Sequence, residues 1–174
     1  MARRSFFTGN NAGGYILNSI QLGMADASGN PSGLTVMLYS NIGVAGPLPG
    51  SSLGSLSGST SPTTAGTYTY AAPANLALSA NTPYIVVLTA GTTIANGAYN
   101  WNESAYPPSS SSGWSDENGI LKSSNDGSSW NATSPYTGIA QFALNATAVP
   151  EPGVMGLLGM GGLFFGLCRW KKRV

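Results

Sequence analysis

Tyr15-Ile16-Leu17-Asn18-Ser19-Ile20-Gln21-Leu22-Gly23-Met24 alternates apolar with polar or small side chains over most of its length. Successive residues of an extended chain point to opposite faces. Ile16, Asn18, Ile20, Leu22 and Met24 therefore share one face, and Tyr15, Leu17, Ser19 and Gln21 the other. The first set carries four apolar groups, so the pattern predicts a half-buried strand with that face inward. Residues 26–33, Asp-Ala-Ser-Gly-Asn-Pro-Ser-Gly, are turn formers. Beyond them Leu34, Val36 and Leu38 alternate with Thr35, Met37 and Tyr39. The two strands are expected to pair antiparallel across the turn.

The same period recurs downstream. Residues 43–61 are rich in Gly, Ser and Pro and predict a long loop, pinned by Leu48, Leu53 and Leu56. Thr67-Tyr68-Thr69-Tyr70 is a short β-prone run, and residues 75–78 a brief strand or helical turn. Tyr84-Ile85-Val86-Val87-Leu88 is aromatic and β-branched without a break, the pattern of a central strand covered on both faces. Pro83 fits only at its start. Residues 98–102 read as a short strand, and 106–113 as a loop. Residues 119–124 and 128–132 flank Asn125-Asp126-Gly127, a hairpin turn because Asp-Gly tolerates positive φ. Residues 139–149 form a last strand with Phe142, Leu144, Ala146 and Ala148 on one face. About seven or eight short strands without a sustained helical period predict an all-β domain over residues 5–148, an antiparallel β-sandwich or jelly roll.

Past residue 148 the chain changes character. Val149-Pro150-Glu151-Pro152 cannot continue a helix or a ladder, because two prolines bracket the carboxylate. Residues 153–168 hold no ionisable group except the thiol of Cys168, and Arg169-Trp170-Lys171-Lys172-Arg173 follows. As a helix the apolar run is about 24 Å long, short of the roughly 30 Å hydrocarbon core. One short C-terminal transmembrane helix is predicted, its basic end held on the cytoplasmic side. A constitutive tail anchor and a buried hairpin helix are the alternative readings of the same run.

This order of proline-glutamate-proline, short glycine-rich apolar run and basic cluster resembles the PEP-CTERM sorting signal of Gram-negative bacteria. The resemblance implies a sorting motif at Val149, Pro150, Glu151 and Pro152 and a cytoplasmic basic stop at Arg169, Lys171, Lys172 and Arg173, within a signal spanning residues 149–174. It also implies recognition by exosortase, a membrane-embedded transpeptidase-like enzyme. Export would run through an inner-membrane intermediate to the cell surface or extracellular matrix, among exopolysaccharide and biofilm. The body resembles the small choice-of-anchor domains, most of all the type labelled R. That likeness rests on Phe7-Thr8-Gly9, residues 15–20, Leu38-Tyr39-Ser40, residues 83–87 and residues 126–130, and implies no activity.

An export signal needs a basic start followed by about 7–15 apolar residues. Met1-Ala2-Arg3-Arg4 instead runs into Ser5-Phe6-Phe7 and a polar stretch over residues 8–14. Arg3-Arg4-Ser5-Phe6-Phe7 is similar to a twin-arginine export motif but lacks its apolar continuation. The expectation is an apolar export segment encoded upstream of Met1.

Charged residues make up 7% of the chain, against about a quarter in an average soluble protein. Between residues 5 and 152 Lys122 is the only base, set against all 6 acidic residues. Such a body does not hold nucleic acid by neutralising phosphates. With 0 histidines, and Cys168 the 1 cysteine, the exported part offers no disulfide, no imidazole base and no His- or Cys-based metal site. No cofactor is expected. Catalysis would need carboxylates, Glu103 with Asp116 or Glu117, in the manner of a glycosidase pair. Asp116-Glu117-Asn118 and Asn125-Asp126 offer oxygens to calcium, although turn chemistry accounts for them better. Tyr99, Trp101, Tyr106, Trp114, Trp130 and Tyr136 cluster in sequence as stacking surfaces for sugar. The carbohydrate candidates are Trp114, Trp101 and Trp130. The last two lie in strand-like sequence, where large rings fill cores, which leaves Trp114 as the exposed one. The reading favoured is a non-enzymatic surface or matrix protein; the alternative is a carbohydrate-binding module and, less favoured, a carboxylate glycosidase.

Overall fold

In the computed structural model, residues 1–43, 48–104, 110–111, 113–116, 120–125, 127–132 and 139–151 are described. The expected transmembrane helix, Pro152 and the basic stop lie outside them, as do Tyr106, Glu117, Asn118, Asp126 and Tyr136. Among the described residues no helix is long and apolar enough to cross a membrane.

The strands are β1 (Ala2–Phe7), β2 (Tyr15–Gly29), β3 (Thr35–Asn41), β4 (Pro49–Leu56), β5 (Gly66–Ala71), β6 (Ala77–Leu78), β7 (Pro83–Thr89), β8 (Gly97–Trp101), β9 (Glu103–Ser104), β10 (Ser115–Asp116), β11 (Leu121–Lys122), β12 (Asn131–Ala132), β13 (Ile139–Ala140) and β14 (Phe142–Ala148). All their pairings are antiparallel. The first sheet runs β12-β11-β1-β7-β3-β4, with β10 also on β1. The second runs β14-β2-β5, with β6 and β8 also on β2, and a small ribbon joins β9 to β13. The protein is all-β, and the two main sheets enclose one core of Phe6, Val36, Leu38, Val86 and Leu88 from one side and Leu17, Ile20, Leu22, Met24 and Tyr70 from the other. Burying each such side chain contributes about 1.5–3 kcal/mol.

β2 departs from the simple alternation. Tyr15 and Leu17 are buried, and so are Ile20, Leu22 and Met24, while Asn18 is exposed. The inward set therefore changes phase between residues 17 and 20. Opposite it, β14 keeps strict alternation: Phe142, Leu144, Ala146 and Ala148 stand across from Leu22, Ile20, Leu17 and Tyr15. The register slips by one residue at Asn18, a β-bulge that inserts one extra residue and turns the following side chains over. The Asn18 amide, left outside, donates to Asn145 Oδ1 (3.0 Å) and Thr147 Oγ1 (2.9 Å). The expected single face was thus correct for residues 20–24 and reversed for residues 15–17.

Two further expectations are corrected. β3 does not pair with β2; after β2 the chain crosses to the other sheet, where β3 lies between β7 and β4. The loop predicted over residues 43–61 contains a strand, β4, at the edge of its sheet. Only Leu56 of its three leucines is buried; Leu48 and Leu53 are exposed. An edge strand has a single neighbour and little packing, so its Gly-Ser composition carries no β signal.

β7 matches its reading. Tyr84, Ile85, Val86, Val87 and Leu88 are all buried, between β1 on one side and β3 on the other. The hairpin flanking residue 127 also forms, with Leu121 opposite Ala132 and Lys122 opposite Asn131.

Candidate functional site

Arg3 and Arg4 lie inside β1 and are both buried. Arg4 pairs across from Val86 and Phe6 from Tyr84, so Arg4 points inward with the core. Its side chain is completely buried. The guanidinium makes an ion pair with Asp116 through both carboxylate oxygens, with Nε 3.1 Å from Oδ1, and donates to the Ala140 carbonyl at 2.6 Å. It also lies 5.0 Å from the Phe142 ring centroid. Burial pulls Arg4 down to about 10, which leaves it charged at neutral pH. Arg3 faces the other way, 4.8 Å from the Trp130 ring centroid, a cation–π contact.

The three candidate tryptophans do not form one platform. Trp101 is buried in β8, its indole N–H donating to the Gln141 carbonyl at 2.8 Å and its ring edge-on to Phe142 at 6.4 Å. Trp130 is half-buried over Arg3. Trp114 is not the freely exposed ring its polar surroundings suggest. It is half-buried, nearly parallel to Phe6 at 6.1 Å and edge-on to Tyr15 at 4.8 Å. It does line a groove of about 660 Å³ along β14, together with Phe6, Tyr15, Phe142, Ser111 and Asp116. Tyr99 bonds to the Thr60 carbonyl at 3.1 Å.

The acidic candidates are distributed differently. Asp116 is committed to Arg4, whereas Glu103 is exposed on β9, across from Ala140. Among the described residues no three His, Cys, Asp or Glu side chains gather into a metal-binding group. Asn125 serves a turn, accepting from the Ser129 N–H at 2.9 Å and donating to Ser129 Oγ at 2.8 Å.

The sorting strip has partners that its sequence does not announce. β14 leads directly into Val149, whose N–H donates to the Gly14 carbonyl at 3.0 Å. The Val149 carbonyl accepts from Asn11 Nδ2 at 2.8 Å, and the Ala12 N–H donates to Glu151 Oε1 at 3.3 Å. Asn11 Nδ2 also reaches the Gly14 carbonyl at 2.6 Å and so braces the turn. Gly14 has φ of +72°, which an L side chain rarely adopts. Gly13 lies so close to the strip that an added Cβ would stand 2.4 Å from the Val149 oxygen. Nothing in Asn11-Ala12-Gly13-Gly14 beyond its turn composition marks it as a docking site, because its partner lies far away in sequence.

No curated protein and no solved structure matches the chain. The PEP-CTERM protein-sorting motif matches residues 148–173. That motif is the mark of an exported protein that passes through the membrane to the cell surface and is processed by an exosortase-type membrane enzyme.

Proposed function

We propose that the chain is a non-enzymatic surface or matrix protein, its β-sandwich body of the choice-of-anchor R kind delivered among exopolysaccharide and biofilm by its C-terminal signal. The observation carrying this reading is the sorting motif, joined without a linker to the last strand of an all-β body. The apolar run from residue 153 to 168 acts as a short-lived membrane anchor, and the basic stop at Arg169, Lys171, Lys172 and Arg173 retains its end in the cytoplasm. The body is poor in charge and rich in Ser, Thr, Asn and Gly, which suits a surface hydrated by hydroxyls and amides rather than one that binds charged partners. The test compares isogenic bacteria with and without the exosortase-type gene. In its presence an epitope placed after Val174 is lost and the body reaches the surface. Surface delivery with the epitope intact would make the tail an ordinary anchor.

A second reading is favoured by the groove that Trp114 lines with Phe6, Tyr15 and Phe142, beside the hydroxyl of Ser111. Aromatic faces beside hydroxyls suit a neutral sugar. On this reading the processed protein retains an exopolysaccharide or a fragment of it on a glycan array. Trp114→Phe, which keeps the packing but narrows the ring, weakens that retention, and unchanged retention would exclude the groove.

A further inference from the structure

The strip that the processing enzyme must grasp is already held by the folded domain. Both main-chain polar groups of Val149 are occupied, its N–H by the Gly14 carbonyl at 3.0 Å and its oxygen by Asn11 Nδ2 at 2.8 Å. The Glu151 carboxylate accepts from the Ala12 N–H at 3.3 Å. Pro150 and Pro152 have no N–H to offer. Enzymes of the protease and transpeptidase type bind their substrates as extended chain and read main-chain donors and acceptors much as a sheet edge does. Here the two main-chain groups of Val149 are already bonded within the domain.

Space gives a second, independent reason. Glu151 is two residues from Gly153, where the apolar run begins, so the docked strip holds the domain within about 7 Å of that run. Released from Ala148 onward, residues 149–153 could span about 17 Å. The first distance admits little between body and membrane, and the second admits an active-site cleft.

We propose that the Asn11–Gly14 turn is an autoinhibitory clamp on the sorting strip: it holds residues 149–151 against the folded domain and withholds them from the processing enzyme until it opens. The proposal rests on the reading of the tail as an exosortase substrate. It makes the folded body, rather than the motif alone, a determinant of when the chain is processed. Glu151 then has two roles, as part of the motif and as the clamp's anion.

The clamp can be weakened without altering the motif. Asn11→Ala removes the donor to the Val149 carbonyl together with the brace to the Gly14 carbonyl, and Gly13→Ala places a methyl 2.4 Å from the Val149 oxygen and 3.1 Å from that of Pro150. Loss of one hydrogen bond shifts an open-to-closed equilibrium by about two- to tenfold. Pulse–chase of the full chain in an exosortase-producing bacterium should show both variants processed faster by that factor. Hydrogen exchange of the full chain in detergent should show the Val149 amide protected in the parent and exchanging faster in both variants. An unprotected Val149 in the parent would overturn the clamp. So would processing at the parental rate or slower in both variants while the domain melts as before. If no form were processed, yet Val149 were protected in the parent and released in the variants, the exosortase reading would fail and the docked strip would stand.

Discussion

The two long edges of this domain are closed by different chemistry. On one side, β4 and β5 end their respective sheets and are joined just past Leu56 by a backbone bridge between Ser57 and Ala71. Tyr70 adds its hydroxyl, donating to the Ser59 carbonyl at 3.0 Å. On the other side, β14 faces β1 and β10 through side chains: Arg4 on Asp116 and Ala140, and a chain of rings running Trp101, Phe142, Phe6, Trp114, Tyr15. Main-chain closure makes few demands on sequence, which is why β4 can be built of glycine and serine. Side-chain closure depends on particular residues and leaves a groove between them.

The largest effect is expected where a charge is buried. Arg4→Ala strands Asp116 beside the core, and loss of one partner of a buried pair costs about 3–5 kcal/mol. Replacing both partners, Arg4→Met with Asp116→Leu, should restore most of that stability, because the desolvation cost disappears with the charges. Urea midpoints of the three proteins provide the comparison. A single variant that unfolds near the parental midpoint would mean that the rings alone hold this edge.

Trp114→Ala comes next, at about 2–3 kcal/mol, less than a fully buried ring because Trp114 is half-buried. It should also leave Tyr15 without its edge-on partner, detectable as a changed near-ultraviolet circular dichroism. A loss below about 0.5 kcal/mol would show that the groove wall contributes nothing to closure.

The smallest effect belongs to the backbone-closed edge. Tyr70→Phe removes one neutral hydrogen bond, about 1 kcal/mol at pH 7. Its pH dependence has a definite sign. Burial, followed by the nearby Tyr68 and Tyr99, pushes the Tyr70 phenol up to about 12 from 10.0. Between those values the unfolded chain sheds its proton first, so the parent loses stability as pH rises from 10 to 12. The Phe variant lacks this loss, and its deficit should narrow across that window; a constant deficit would place Tyr70 in wetter surroundings.

Legibility followed the range of the interactions. The strand at residues 84–88 could be read because continuous β-branched and aromatic residues reflect burial on both sides wherever the neighbours come from. Residues 142–148 could be read because their alternation is unbroken. The bulge at Asn18 could not, since its cause is a mismatch with β14, more than a hundred residues away. Trp114 was assigned to solvent from its polar flanks, but Phe6 and Tyr15 reach it from the far end of the chain. That residues 149–151 rest on the Asn11–Gly14 turn could not be read, because prolines report only the backbone's shape and not what it rests on.

Composition, strand period and the ordered tail thus established the all-β class and the sorting address at residues 148–173, both of which depend on residues adjacent in the chain. Folding alone decided that Arg4 becomes a buried cation on Asp116, 112 residues away, and that Asn11 holds Val149, 138 residues away. Hydrogen bonds and ion pairs act over a few ångströms, and only the packed sheets bring such distant groups that close.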